Sequence, residues 1–316
     1  MKRKGNHFKQ QEGAVIVVAL FFVALVVTLS YLMMSRLERD TRRTTLLLRT
    51  TKAELYAQGS IDWAIEQLRS DLKKVKKQNV IVDDIPIQSP IDKINGYTIS
   101  SKMTDEQARF NINQLTTVEA QADFKHLIQI VYPEYDEQKT TAIIAAIADW
   151  LRLGQQQNEY NKYYMSLSPP YRAAHRMMVS ISELHLVKGM TPLLFDRLEP
   201  YITALPASTK INVQTARAPV IATLSPGMTL ETGNAIVQAR SQNKLTSAQA
   251  FLNLDNVKNH MPLPTSKITV VSDYFLVETT VTIEKQHVVL YTLLWRTGDE
   301  NKNTVKVIWQ SKGLRG

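Results

Sequence analysis

Residues 14–34, AVIVVALFFVALVVTLSYLMM, form an unbroken apolar run in which only Thr28, Ser30 and Tyr31 carry a polar atom. A helix of this length rises about 31 Å at ~1.5 Å per residue, close to the ~30 Å hydrocarbon core of a bilayer. A helix that is apolar on every side has no face for water, so the pattern predicts a membrane span. Helical character then continues without a breaker to about Lys77. The later half of this stem carries an apolar stripe, Leu55, Ile61, Ile65, Leu68, Leu72 and Val75 with Trp63 beside it, which suits a helix laid on a sheet.

From Gln78 the pattern changes. Two prolines, the Asn95–Gly96 pair and the β-rich GYTIS predict a short strand or loop, a turn, then one or two strands. At the far end, residues 266–311 alternate and are dense in Val, Thr, Tyr and Ile, with Gly298 to Asn303 reading as the turn before a last strand, TVKVIWQ. These strands and the earlier ones are expected to share one antiparallel sheet with the stem helix against one face. Between them, residues 116–262 are helix-rich, and TTAIIAAIADWLRL is apolar nearly all round, as a buried helix would be. A second domain inserted into the sheet is the economical reading. The fold class is therefore α+β.

An internal repeat lies in that insert. SELHLVKGMTPLLFDRLEPYI and VIATLSPGMTLETGNAIVQAR align so that Leu186 matches Leu224, Gly189, Met190 and Thr191 match Gly227, Met228 and Thr229, and Leu198 matches Ile236. Each copy reads as helix, tight turn, helix.

Charge alters the picture only once it is located. The net charge is +9, of which residues 1–13 contribute +3 and residues 36–77 contribute +5, leaving the remainder near neutral. A concentrated basic face for nucleic acid is thus absent from the globular part, and the basic stem is expected to face anionic lipid headgroups or acidic neighbours. Lys and Arg flank the apolar run on both sides, so the positive-inside rule does not set the orientation. There is no cysteine, and His7, His126, His175, His185, His260 and His287 show no metal-binding spacing. No nucleophile elbow or P-loop occurs, and the Ser-x-x-Lys matches at Ser70 and Ser241 are what chance gives. The sequence presents no enzyme, no cofactor and no metal site.

The short basic leader ending in Gly13, the abrupt apolar helix from Ala14 and the amphipathic continuation together resemble the type IV pilin and pseudopilin class. The resemblance implies cleavage between Gly13 and Ala14 by a prepilin peptidase, methylation of the new terminus, and a cytoplasmic leader. That class usually has Glu at the fifth mature position, where this chain has Val18. A carboxylate in a membrane helix costs ~2.5–3.5 kcal/mol unless paired. A subunit with no neighbour above it has nothing to pair, so Val18 points to a filament tip; a plain anchor helix is the alternative. The repeat resembles the helix-hairpin-helix unit, which presents backbone amides to phosphates through a Gly-hydrophobic-Gly turn. Thr191 and Thr229 replace the second glycine, and their Cβ impedes that approach. A membrane-anchored nucleic-acid receptor is the alternative function, and structural packing of the repeat is the preferred reading.

The order RFNINQL, ADWL, PPYRAAHRMMVSISELHLVKGMTPLLFDRLEPYITALP, INVQTA is similar to general secretion pathway protein K, the large minor pseudopilin family of type II secretion systems. The resemblance implies a leader at 1–13, a transmembrane helix at 14–34, and a stem with the first strands of a pilin-like domain at 35–115. It further implies an inserted helical domain at 116–262 and the remaining strands at 263–316. The implied partners are minor pseudopilins I and J, the major pseudopilin, the prepilin peptidase and the inner membrane, with the globular part in the periplasm. No nucleic acid is expected. Related subunits carry an acidic run after the Asp-Trp pair that suits calcium. Here Asp149–Trp150 is followed by LRLGQQQNEYNKYY, with Glu159 the only acid, and calcium is not carried over. Asp149 reads equally as a polar contact at a helix end.

Overall fold

The structure is a computed structural model that describes residues 9–78, 87–154, 158–206, 208–242, 245–297 and 304–313, with side chains in the first helix described for 14–71. Residues 1–8 of the leader, the side chains of Leu72 and Val75, and the Gly298–Asn303 turn lie outside the described residues. The chain divides into two compact units, Met1–Leu55 and Tyr56–Gly316.

Helix α1 is Lys9–Gln78 and runs through most of the first unit. Among the described residues it is the one helix long and apolar enough to cross a membrane. The side chains of 14–34 are all exposed within the chain itself, as a lipid-facing surface would be. Past the apolar run, Arg42 pairs with Glu38 one turn back at 2.8 Å.

In the second unit, α1 buries Ala57, Ile61, Ala64, Leu68 and Asp71. This face corrects the expected stripe: Leu55 is 67% exposed, while Ile65 and Trp63 are only half-buried. The buried face interleaves alanines with Ile61 and Leu68, so it is narrower than a stripe of large residues would be. Full burial of Ile61 and Leu68 is worth roughly 1.5–3 kcal/mol each. The Tyr56 ring tilts onto Tyr97 at 5.0 Å, and Asn95 Nδ2 donates to the Tyr56 hydroxyl.

Strands β1 (Ile87–Gln88), β2 (Asp92–Ile94) and β3 (Tyr97–Asp105) follow. Asn95 and Gly96 both have positive φ, the requirement of the two-residue turn that joins β2 to β3. After β3 come β4 (Phe110–Asn111), α2 (Val118–Val131), α3 (Glu137–Leu151), α4 (Glu159–Met165), α5 (Pro192–Leu198), β5 (Ile202–Thr203) and β6 (Ile211–Asn212). The chain continues through α6 (Ala218–Ala222), α7 (Leu230–Gln242), α8 (Ala248–Leu252), α9 (Asp255–Lys258) and β7 (Ile268–Thr269). It then returns to the sheet as β8 (Tyr274–Ile283), β9 (Gln286–Arg296) and β10 (Val305–Lys312). The sheet order is β1-β3-β8-β9-β10, with β2 also on β3, and all of its pairings are antiparallel. Thus β3 and β8 are neighbours from Tyr97–Ile283 to Asp105–Phe275, although residues 106–273 separate them in sequence. In β3, Tyr97, Ile99, Ser101, Met103 and Asp105 are buried and the residues between them are not, the period of two that a one-sided strand shows.

The intervening segment has two apolar cores. The first gathers residues from Phe110 to Ala204, including Phe124, Ile147, Trp150, Tyr164 and Leu198; buried α3 belongs to it. The second runs from Val213 to Ile268 and includes Val220, Ile221, Met228, Ile236 and Phe251. Each core carries a small parallel ladder at its edge, β4 with β5 and β6 with β7. In the second core α6 and α7 touch at Gly233, where a Cβ would sit 2.4 Å from the Ala218 carbonyl oxygen.

Candidate functional site

Polar side chains form the joint between the helical segment and the sheet. β3 ends at Asp105, whose buried carboxylate accepts from the Gln107 N–H (2.8 Å), Asn212 Nδ2 (2.9 Å), Ser272 Oγ (2.7 Å) and Thr215 Oγ1. Asn212 Nδ2 also donates to Ser272 Oγ at 2.8 Å, and its Oδ1 accepts the Gln214 N–H. Gln107 donates to the Lys210 carbonyl and accepts the Asp273 N–H. Arg296 of β9 donates to the Ser272 carbonyl at 2.6 Å and lies over the Phe275 ring. Burial raises the Asp105 and Asp273 carboxyls, which hydrogen bonds to Asp105 and the Arg296 charge beside Asp273 oppose. Burial lowers the Arg296 guanidinium, while Asp273, Asp71 and Asp105 support its charge. The segment's exit from β3, its return through β6 and its entry to β8 are therefore tied at one knot. A donor or acceptor orphaned there would cost about 1–3 kcal/mol.

The same device recurs in RFNINQL. Asn111 Oδ1 accepts the Leu205 N–H, and Asn113 exchanges hydrogen bonds with both main-chain groups of Met178 while donating to the Leu205 carbonyl. Buried main-chain groups of irregular loops need partners, and amide side chains supply them. These hubs were missed as site residues in the sequence. Their signal was the placement of Asn and Gln between apolar residues in RFNINQL and INVQTA. These hydrogen bonds tie separate stretches of chain to one another, so the arrangement holds geometry.

The two repeat turns sit in different cores, Met190 against the first and Met228 within the second. In the first, a 3-10 turn (Ile181–Leu186) leads to Gly189 and then α5; in the second, α6 leads to Gly227 and α7. Gly189 takes φ +89°, whereas Gly227 has ordinary φ and a Cβ there would meet His260 Nδ1 at 3.3 Å. Thr191 is the N-cap of α5, its hydroxyl accepting the Leu194 N–H at 3.2 Å. The Thr229 hydroxyl likewise accepts the Thr232 N–H at 3.2 Å at the start of α7. Several amides of the turns are already spent: Lys188 N–H on the Tyr164 hydroxyl, Met190 N–H on the Val187 carbonyl and Met228 N–H on the Ser225 carbonyl. Burial drives Tyr164 up to about 12, so it stays a neutral partner.

In the last turn of α3, Asp149 accepts from Asn158 Nδ2, and Asn158 caps α4 through the Asn161 N–H. Asn161 contacts His175 Nε2 at 2.9 Å and accepts the Ala173 N–H. The second Asp149 oxygen is buried without a partner, and burial raises this carboxyl against the pull of His175, Arg152 and Asn158. Glu159 pairs with Lys162 at the surface. One carboxylate held by an amide is a poor set for a hard divalent ion, which takes six to eight oxygens. Among the described residues no group of three or more His, Cys, Asp and Glu gathers at metal-binding distance. Ala14 and Val18 lie on the exposed surface of α1 in the first unit, Val18 at 54% exposure, and Gly13 is helical.

Comparison with known proteins matches this construction. Two family models, both of type II secretion system protein K, cover residues 108–207 and 211–270. Together they span just over half the chain and coincide with the two cores. Type II secretion system protein K of Pseudomonas aeruginosa is 28% identical over 330 aligned residues, covering 97% of this chain and 94% of that one. The Klebsiella pneumoniae protein of the same name is 28% identical over 266, covering 78% and 80%. A crystal structure of a GspK-GspI-GspJ complex from enterotoxigenic Escherichia coli matches with a TM-score of 0.72 at 21% identity, covering 86% of this chain and 99% of its own, a likeness of fold. With its two cores matched by the family's models and a relative aligned along 97% of its length, the chain belongs to the type II secretion system protein K family.

Proposed function

We propose that this chain is a minor pseudopilin that stands at the tip of a type II secretion pseudopilus, where it initiates or caps the filament that moves proteins across the outer membrane. The observation that carries this reading is a helical segment of two cores spliced between the paired strands β3 and β8. Each shaft subunit of a filament is covered by the next, so such bulk suits a subunit with nothing above it. Val18, which needs no partner in the bilayer, supports the same position. The division into leader, span, pilin-like parts and an insert over 116–262 belongs to this proposal. So do cleavage between Gly13 and Ala14, residence in the inner membrane and a periplasmic globular part. A chain of similar fold is named in a GspK-GspI-GspJ complex, which supports minor pseudopilins I and J as partners. The major pseudopilin and the prepilin peptidase complete the set.

Co-expression of the full chain with minor pseudopilins I and J, followed by native mass spectrometry, tests the reading. A complex with one copy of each is expected. Deleting residues 116–262 with a short linker should leave the sheet able to join it while removing the stop. Repeated copies of the intact chain along the filament shaft, seen by cryo-EM, would overturn the tip assignment.

A further inference from the structure

We propose that Arg36, Arg39 and Arg43 form a headgroup-binding stripe that holds anionic phospholipid where α1 leaves the membrane after Met34. At 3.6 residues per turn the three lie within about 60° of arc on α1. The helix is continuous through them and this face is exposed. The neighbouring Arg42 lies off this stripe and is neutralised by Glu38 at 2.8 Å. No carboxylate pairs with the three among the described residues; Asp40, on the rim of the stripe, forms no ion pair with Arg36 or Arg43 and leaves it two positive charges in excess.

Depth selects the occupant. The apolar run ends at Met34. At ~1.5 Å per residue Arg36 and Arg39 stand about 3 and 7.5 Å beyond it, and headgroups occupy roughly 5–7 Å per leaflet. Arg43 stands higher, at about 13.5 Å. Side chains on a helix tilt toward its N-terminus, which here is the bilayer side, so all three reach back toward the phosphates. Arg39 shows this directly, its Nε donating to the Ser35 carbonyl at 3.1 Å. A guanidinium fork binds phosphate through two parallel N–H bonds, which makes arginine suited to this layer. An anionic lipid also accounts for positive charge on both flanks of the span, which the positive-inside rule disfavours.

The inference rests on residues 14–34 crossing the bilayer. The test uses the full-length chain in phosphatidylcholine nanodiscs containing spin-labelled phosphatidylglycerol or, separately, spin-labelled phosphatidylcholine. Electron paramagnetic resonance reads the motionally restricted fraction of each. The wild type is expected to favour phosphatidylglycerol by about fivefold or more, since each surface arginine contributes about that factor. The combined R36Q/R39Q/R43Q variant should lose most of the preference, and R42Q should keep it. All positions are exposed, so an unchanged melt of the globular unit serves as the folding control. Equal preference in wild type and triple variant, or an equal loss in R42Q, would overturn the stripe. No restricted lipid of either kind would overturn the span itself.

Discussion

Asn212 Nδ2 donates to Asp105 Oδ2 at 2.9 Å, joining residues 107 apart in sequence at the point where the helical segment returns to the end of β3. Because Asn212 also bonds Ser272, one amide holds three separate stretches of chain. Asn212→Ala leaves Asp105 and Ser272 each short of a buried partner. The loss should be about 1–3 kcal/mol, seen as a lower melting temperature with the sheet retained by circular dichroism. A melt within error of wild type would mean the knot is incidental.

Thr191 and Thr229 act as caps rather than as relaxed phosphate turns. Thr229→Ala is expected to cost about 1 kcal/mol and Thr229→Ser almost nothing, because serine keeps the accepting hydroxyl. Restoring glycine at both positions should not create DNA affinity, since neighbouring turn amides are already bonded internally. A salt-sensitive gel shift by the wild-type chain would contradict this and revive the receptor reading.

Asp149 sets a pH dependence. Its carboxyl is raised by burial, so folding favours the protonated form. Its contribution is therefore fully present below the ordinary carboxylate pKa of about 3.9 and is lost as pH rises through the raised folded value. Asp149→Asn cannot ionise and keeps an oxygen for Asn158. The melting temperature of the variant relative to wild type should climb as pH rises above about 4 and level off only once pH has passed the raised folded value. A difference that stays flat over that range would show Asp149 to be ionised throughout.

The start of the mature chain is accessible to mass spectrometry. Protein purified from membranes with an active prepilin peptidase should begin at Ala14, methylated, and Gly13→Asp should retain the leader. An intact Met1 start would exclude processing. Val18→Glu should insert less favourably by at most ~2.5–3.5 kcal/mol and should not improve assembly. Increased incorporation along the shaft would show the tip assignment to be wrong.

The sequence by itself determined what depends on neighbours along the chain. Twenty-one consecutive residues without a charge form a helix long and apolar enough to cross a bilayer, and Asn95–Gly96 makes its turn because both positions tolerate positive φ. The β-rich composition of β8 and β9 and the apolar girth of α3 were legible for the same reason: each is carried by residues adjacent in the chain. Tertiary structure decided what depends on residues far apart. The buried face of α1 is Ala57, Ile61, Ala64 and Leu68 rather than a stripe through Leu55, because two of its four members are alanines that carry little hydrophobic signal in the sequence. The roles of Asp105, Asn111, Asn113 and Asn212 were equally hidden. A polar side chain announces no partner, and theirs are main-chain and side-chain groups some 60 to 170 residues away, brought within hydrogen-bonding distance only when both cores close on the sheet.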